Sequence, residues 1–173
     1  DAIQTNDVFA ACWQKCASYC LADSLSSFNQ SPSSPSHTLN SLQNFKKSPI
    51  NNHISGILET IGIERATPTL LERMLKSTIG FSDLVEKNNH SQLIKQKYDY
   101  FLKNSMLSDC YFYLVYLNKE TFIKIKDNLN KEQDLIHILK IAFDIESDSN
   151  LLQQHVETIQ TSCNDILEIV SKT

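Results

Sequence analysis

The feature that most constrains the fold is an apolar pattern in the last 25 residues of the chain. Six apolar side chains recur there at alternating steps of four and three residues: Leu152, Val156, Ile159, Cys163, Ile166 and Val170. This set is called the C-terminal stripe below. Such spacing keeps one apolar line on a single side of an α-helix for about three heptads. The pattern therefore predicts a chain built from helices that bury apolar stripes against one another.

Composition supports a fold made of helices and excludes several functional classes. With three glycines and four prolines in 173 residues, the chain lacks the turn residues of a β-sandwich and the glycine spacing of a phosphate-binding loop. The net charge is −4 and no basic stripe is apparent, so we expect no nucleic-acid partner. The longest apolar run spans residues 111–117, too short for a transmembrane segment, so we expect a soluble protein. We predict an all-α multi-helix bundle of about six to eight helices.

Changes in composition divide the chain into three parts. Residues 1–28 predict an N-terminal amphipathic helical arm, whose Cys/Trp/Phe face would pack on the body or on a partner. Residues 29–49 are rich in Ser, Pro and Asn and predict a flexible linker, in which Leu39, Leu42 and Phe45 favour docking as a short helical turn. Residues 50–173 form the predicted helical bundle domain.

Within the bundle, helix starts and stops can be placed from capping residues. A short helix should end by Gly62, and Thr67-Pro68 should start the next one. We expect Gly80 to separate that helix from another short one, and Ser91 to open a longer helix. Residues 110–117 are apolar on nearly every side, which fits a helix or a strand, and the helical neighbours favour a central buried helix. Helices over 121–129, 131–143 and 149–172 complete the prediction.

Five cysteines leave three interpretations open. Cys12, Cys16 and Cys20 are spaced four apart and would share one helix face, where free cysteines pack as small apolar side chains. We favour this buried, reduced face, which in turn favours an intracellular location. A disulfide or a metal site at the same three residues is the alternative.

No catalytic residue, metal site or cofactor site is predicted. We expect His137, between two isoleucines, to be a core or boundary histidine and His155 to face solvent. Asp144, Glu146 and Asp148 alternate like cation ligands but lack the glycine and the downstream glutamate of a calcium loop, so a solvated turn is expected. The chain is therefore expected not to be an enzyme.

The clearest candidates for a functional surface are aromatic and apolar. Tyrosine and tryptophan are common anchors of protein interfaces, and a heptad stripe can pack on a helix of another chain. The predicted partner-binding residues are Phe9, Trp13, Tyr111, Tyr113, Tyr116, Val156 and Ile159.

Two loose family resemblances suggest a signalling role. Phe81-Ser-Asp-Leu84, the pair Phe101-Leu102, and Ser108 leading into a further helix resemble regulator-of-G-protein-signalling domains. That resemblance implies a helical regulator of a GTPase, although Asp109-Cys110-Tyr111 replaces the acidic contact residues of the family. Residues 70–148 are similar in outline to a cyclin box, which implies a kinase partner.

The leading functional hypothesis is a non-enzymatic helical protein-interaction module or an accessory subunit of a larger assembly. Its partner would be another protein, or a second copy in a helix-mediated oligomer. The alternatives are the signalling regulator just described, and a small metal- or redox-active helical protein that uses Cys12, Cys16 and Cys20.

Overall fold

The computed structural model describes residues 9–30, 34–86, 90–127, 135–145 and 148–172. These parts of the chain contain eight α-helices and no strand, which confirms the predicted all-α, multi-helix fold. The helices are α1 (Ala10–Phe28), α2 (Thr38–Asn44), α3 (Ile54–Ile61), α4 (Pro68–Glu86), α5 (Ser91–Lys103), α6 (Leu107–Lys124), α7 (Ile136–Ala142) and α8 (Ser149–Ser171).

Helix α6 is the centre of the bundle and contains the apolar run 110–117, so the prediction of a central buried helix is confirmed. It packs against α1, α2, α4, α5 and α7, which is why its sequence is apolar on nearly every side. The buried side chain of Asn118 donates hydrogen bonds to the Thr78 hydroxyl at 3.1 Å and to the Ala142 carbonyl at 2.7 Å. One amide thereby joins α6 to α4 and α7.

The predicted N-terminal arm is docked on the body in the part that the structure describes, from Phe9 onward. Helix α1 packs against α3, α6 and α8, and its Cys12 and Tyr19 belong to the core. Trp13 lies edge-on to Phe122 with ring centroids 4.8 Å apart. The Cys/Trp/Phe face was expected to pack on the body or on a partner, and the structure shows it on the body. Residues 1–8 lie outside the described residues.

A small polar network fixes α1 on α3. The Gln14 amide donates to the Thr60 carbonyl at 2.8 Å, and the Thr60 hydroxyl donates to the Ser18 hydroxyl at 2.8 Å. All three residues are buried, so each polar group is compensated by another across the interface.

The Ser/Pro/Asn-rich segment docks as its apolar residues predicted. Helix α2 lies within it, and Leu39 and Leu42 are buried in the core while Phe45 packs beside them. Residues 31–33 lie outside the description. Separate folding of residues 1–28, 29–49 and 50–173 stays a prediction.

The predicted break at Gly80 is wrong. Helix α4 runs without interruption from Pro68 to Glu86, and Met74, Thr78 and Phe81 lie on one buried face on both sides of the glycine. A glycine inside a helix costs only about 1 kcal/mol relative to alanine, which packing of that face outweighs. The prediction of a separate helix starting at Thr121 is wrong as well. Helix α6 continues through Thr121 to Lys124.

The remaining helices agree with prediction within the described residues. Helix α3 ends at Gly62, whose φ of +86° allows the left-handed turn that closes it. Helix α8 starts after Asp148, whose carboxylate accepts from the Asn150 amide at 2.8 Å. None of the described helices combines the length and apolar character needed to cross a membrane.

Candidate functional site

Helix α8 packs on the body along a line that is not the C-terminal stripe. It contacts α1 and α3. The Ser162 hydroxyl lies 3.3 Å from Nδ1 of His53, and Thr158 faces Gly56. Among the described residues of α8, Ser162 is the one that is buried. The side of α8 closest to the body is therefore partly polar.

The C-terminal stripe is rotated around the helix from that line. Val156, Ile159, Cys163 and Val170 each directly follow a residue on the body-facing side of α8, and one residue is about 100° of rotation. As a result Val156, Ile159 and Cys163 are only half-buried. Ile166 of the stripe, by contrast, packs against the core together with Ile169. Val170 is 43% exposed, and Leu167 beside it is 61% exposed. The stripe thus forms an apolar flank on the body that continues toward solvent.

The structure separates the predicted partner-binding residues into two groups. Phe9, Tyr111 and Tyr113 are buried core residues, so they are not accessible to a partner in this structure. Trp13 and Tyr116 are half-buried and pack against the core as well. Only the two predicted residues in α8, Val156 and Ile159, lie on the partly buried flank just described.

A second candidate site, which the sequence analysis did not predict, is a polar cluster of the buried residues Lys15, Tyr111 and Asp144 with the partly exposed Arg65. The Tyr111 hydroxyl donates to Oδ2 of Asp144 at 3.0 Å. Arg65 binds the same carboxylate through two nitrogens, Nε at 2.9 Å and an Nη at 3.0 Å. Lys15 Nζ donates to the Ile61 carbonyl and lies 3.3 Å from the Tyr111 hydroxyl oxygen. We call these four side chains the Lys15 cluster.

The Lys15 cluster lies beside a cavity of about 120 Å³. Helices α1, α3 and α8 and the segment after α7 form its walls. The charged and titratable residues that line it are Lys15, Glu59, Glu64, Asp144, Asp148 and His155. Acidic groups therefore outnumber basic groups around this cavity.

Burial perturbs the ionisation of the residues at the cavity. Desolvation lowers the pKa of Lys15 to about 8, although Asp144 opposes that shift and Arg65 adds to it. Desolvation also raises the pKa of Tyr111, with the charge of Asp144 acting in the same direction. Lys15 is thus a lysine with an appreciable neutral fraction near pH 8.

Three expectations for polar residues are wrong. Asp144 is not in a solvated turn but is buried and paired with Arg65, because the turn after α7 folds inward. His155 is half-buried at the cavity instead of facing solvent, and desolvation lowers its pKa. His137 is exposed, since Leu139 and Ala142 form the buried side of α7. Glu146 lies outside the described residues.

The cysteines are divided between core and surface. Cys12, Cys16 and Cys110 are buried, Cys163 is half-buried, Cys20 is exposed, and none of the five is in a disulfide. Burial raises the pKa of the Cys16 and Cys110 thiols to about 12 in each case. Within the described ranges, no three His, Cys, Asp or Glu side chains are placed to hold a metal ion.

No known protein family, curated protein or solved structure matches this chain. The resemblances to regulator-of-G-protein-signalling domains and to the cyclin box therefore gain no support from these comparisons.

One signal in the sequence points to the buried lysine in retrospect. Lys15 is three residues after Cys12 and four before Tyr19, so helical periodicity places it on the apolar face of α1. The other members of the cluster come from separate elements, and their meeting has no local sequence signature.

Proposed function

We propose that this protein is a non-enzymatic helical interaction module that binds an amphipathic helix of another protein along the C-terminal stripe. One observation carries the proposal. The buried position of α8 is the polar Ser162, whereas Val156, Ile159 and Cys163 are only partly buried. A helix that only closed the bundle would place its apolar line toward the body.

The spacing of the stripe favours a helical partner. Steps of three and four residues allow side chains of one helix to insert between those of another at a shallow crossing angle, about 20°. The flank extends along most of α8, which has 23 residues. A helix of that length is about 35 Å long, enough for three heptads of contact.

Charge distinguishes between a different protein and a second copy. The exposed acidic residues of α8 are Glu157, Asp165 and Glu168, and Lys172, which directly follows the helix, is bound to Glu168. The whole chain carries a net charge of −4. Two copies packed through α8 would bring acidic flanks together, so we expect a partner helix with Lys or Arg beside its apolar stripe.

Two synthetic helical peptides of equal length test this proposal. Both carry the same Leu/Ile heptad stripe, and their flanking positions are all Lys in one and all Glu in the other. We expect fluorescence anisotropy to show binding of the Lys-flanked peptide, with much weaker binding of the Glu-flanked one. Binding that is equal for both peptides, or absent for both, contradicts the proposal.

A matched pair of variants locates the binding surface. Ile159→Asp places a carboxylate on the stripe, and desolvating it should weaken peptide binding at least about tenfold. Gln154→Asp makes the same charge change on the exposed opposite side of α8 and should leave binding unchanged. Circular dichroism checks that both variants keep the wild-type helix content.

Light scattering tests the other occupant of the stripe. We expect the wild-type chain to be a monomer at micromolar concentration. A dimer that Ile159→Asp dissociates would show that a second copy occupies the stripe, and it would overturn the choice of a different protein as partner.

A further inference from the structure

The Lys15 cluster is not part of the proposed interaction surface. It combines a buried amine with an adjoining cavity, as a covalent binding site requires. Lys15 is 6% exposed yet borders the 120 Å³ cavity. We propose that Lys15 binds a small uncharged aldehyde in this cavity reversibly, as an imine on its Nζ. This inference does not rest on the proposed function, although Leu152 of the C-terminal stripe also lines the cavity.

The hydrogen bonds of Lys15 leave its nitrogen ready for such a reaction. A neutral amine has two N–H donors and one lone pair. The Ile61 carbonyl and the Tyr111 hydroxyl accept from the two donors. These two hydrogen bonds do not use the lone pair, so the lone pair can bind a third group.

Ionisation of Lys15 makes the lone pair available near neutral pH. With a pKa of about 8, about a fifth of the amine is neutral at pH 7.4, compared with about 0.1% for an ordinary lysine. The lone pair attacks the carbonyl carbon, and a proton passes from nitrogen to oxygen to give a carbinolamine. Loss of the hydroxyl group and the second nitrogen proton as water leaves the imine. No oxidant or reductant is required.

The cavity restricts which carbonyl compound can bind. A void near 150 Å³ accommodates a molecule such as benzene, so a 120 Å³ cavity admits a molecule of roughly four or five non-hydrogen atoms. Glu59, Glu64 and Asp148 line it in addition to the paired Asp144. Their negative charge disfavours a carboxylate-bearing carbonyl, which leaves a short uncharged aldehyde as the fitting class.

Gly62 allows the close approach on which the cluster depends. A Cβ at this position would lie 3.0 Å from Lys15 Nζ and 3.2 Å from the Tyr111 hydroxyl. The glycine backbone therefore lies directly against the reacting nitrogen, in a space that any larger residue would fill.

Reductive trapping of the full chain tests the proposal. The protein is incubated with propanal and sodium cyanoborohydride at pH 7.4, and propylated lysines are quantified by peptide mass spectrometry. Lys97, which is exposed on α5, is the internal control. The difference in neutral fraction favours Lys15 by about 200-fold. Because burial of Lys15 slows entry of the aldehyde, we expect a smaller advantage, with Lys15 reacting at least about tenfold faster than Lys97. Equal or slower reaction of Lys15 overturns the proposal.

Two further measurements distinguish a built site from a lysine that is merely reactive. The rate at Lys15 should reach half its maximum near pH 8, whereas the Lys97 rate should still be rising above pH 9. Replacing propanal with glyoxylate should lower the Lys15-to-Lys97 ratio at least about threefold, because the carboxylate is repelled at the cavity. A Lys15 profile that matches that of Lys97, or an unchanged ratio with glyoxylate, contradicts the assignment.

The variant Asp144→Asn gives an independent check on the geometry. The charge of Asp144 raises the pKa of Lys15 more than that of Glu64, whereas Arg65 lowers it, so neutralisation of Asp144 should move the half-maximal pH of Lys15 labelling downward. A shift in the opposite direction overturns the proposed arrangement. If the variant does not fold, the wild-type pH profile decides the question.

Discussion

The hydroxyl of Tyr111 donates a hydrogen bond to Oδ2 of Asp144 across 3.0 Å, in the interior of the protein. Tyr111 lies in the central helix α6, whereas Asp144 follows α7 with a left-handed φ of +49°. Arg65 holds the same carboxylate from the turn before α4. One carboxylate therefore joins three parts of the chain, and removal of either partner takes at least one hydrogen bond away from a buried charge.

The first prediction concerns this hydrogen bond. Tyr111→Phe removes a donor to a buried carboxylate and an acceptor for Lys15, so we expect the free energy of unfolding to fall by about 1–3 kcal/mol. Urea denaturation followed by circular dichroism measures it. Tyr113→Phe is the matched control, because that ring packs on Phe101 at the other side of α6, and its effect should stay below about 0.5 kcal/mol. Equal losses for the two variants would contradict the assigned role.

The second prediction compares two glycines. Gly62 has a φ of +86°, and an added Cβ would lie against Lys15 and Tyr111, so Gly62→Ala should destabilise the fold by at least about 1–2 kcal/mol. Gly80 lies inside α4 with nothing within 4 Å of an added Cβ. Gly80→Ala should therefore stabilise the protein, by up to about 1 kcal/mol. Thermal melts of both variants check the opposite signs.

The third prediction concerns pH. The pKa of Lys15 falls from 10.5 to about 8 on folding. Between these values the unfolded chain binds a proton at Lys15 that the folded chain does not bind, so the contribution of Lys15 to stability rises with pH. The free energy of unfolding of wild type, relative to that of Lys15→Met, should therefore increase by roughly 2–3 kcal/mol between pH 8 and pH 10.5.

The difference between the two proteins is the quantity to measure, because buried thiols titrate in the opposite sense. Burial raises the pKa of Cys16 and Cys110 to about 12, which makes the folded state less stable as pH rises through 9. That effect is common to wild type and Lys15→Met. A stability difference that is constant from pH 8 to pH 10 would show that Lys15 is not perturbed as the structure indicates.

The fourth prediction concerns the thiols. Reaction depends on exposure and on the thiolate fraction, so a thiol reagent at pH 8 should modify Cys20 and Cys163 rapidly in the folded protein. Cys12, Cys16 and Cys110 should react only when the chain unfolds. Peptide mass spectrometry with and without urea identifies the sites. Rapid reaction of Cys16 in the folded state would contradict its burial on α1.

Local sequence signals predicted most helices because each signal acts within one turn. Thr67-Pro68 marks the start of α4, and Gly62 ends α3 at a left-handed residue. The same local reasoning failed at Gly80, where a continuous buried face on both sides kept α4 intact. Helix breaking is a weak preference of a single residue, and burial of a whole face exceeds it.

The candidate sites were predicted only in part. The C-terminal stripe was visible because its period is a property of one helix. The exposure of that stripe depends on how α8 is rotated against α1 and α3, and the contact of Ser162 with His53 lies on the side that faces the body. Helical periodicity placed Lys15 on an apolar face but not beside Asp144, which is 129 residues away in the chain.

The sequence by itself determined that this chain is helical, where most of its helices begin and end, and that α6 is buried, because propensity, capping and periodicity act between residues a few positions apart. Only the tertiary structure decided which apolar line faces the body and which charged groups meet in the interior. Those outcomes depend on packing between helices far apart in the chain, and the burial of Lys15 and Asp144 is tolerated only where partners from other elements satisfy their charges.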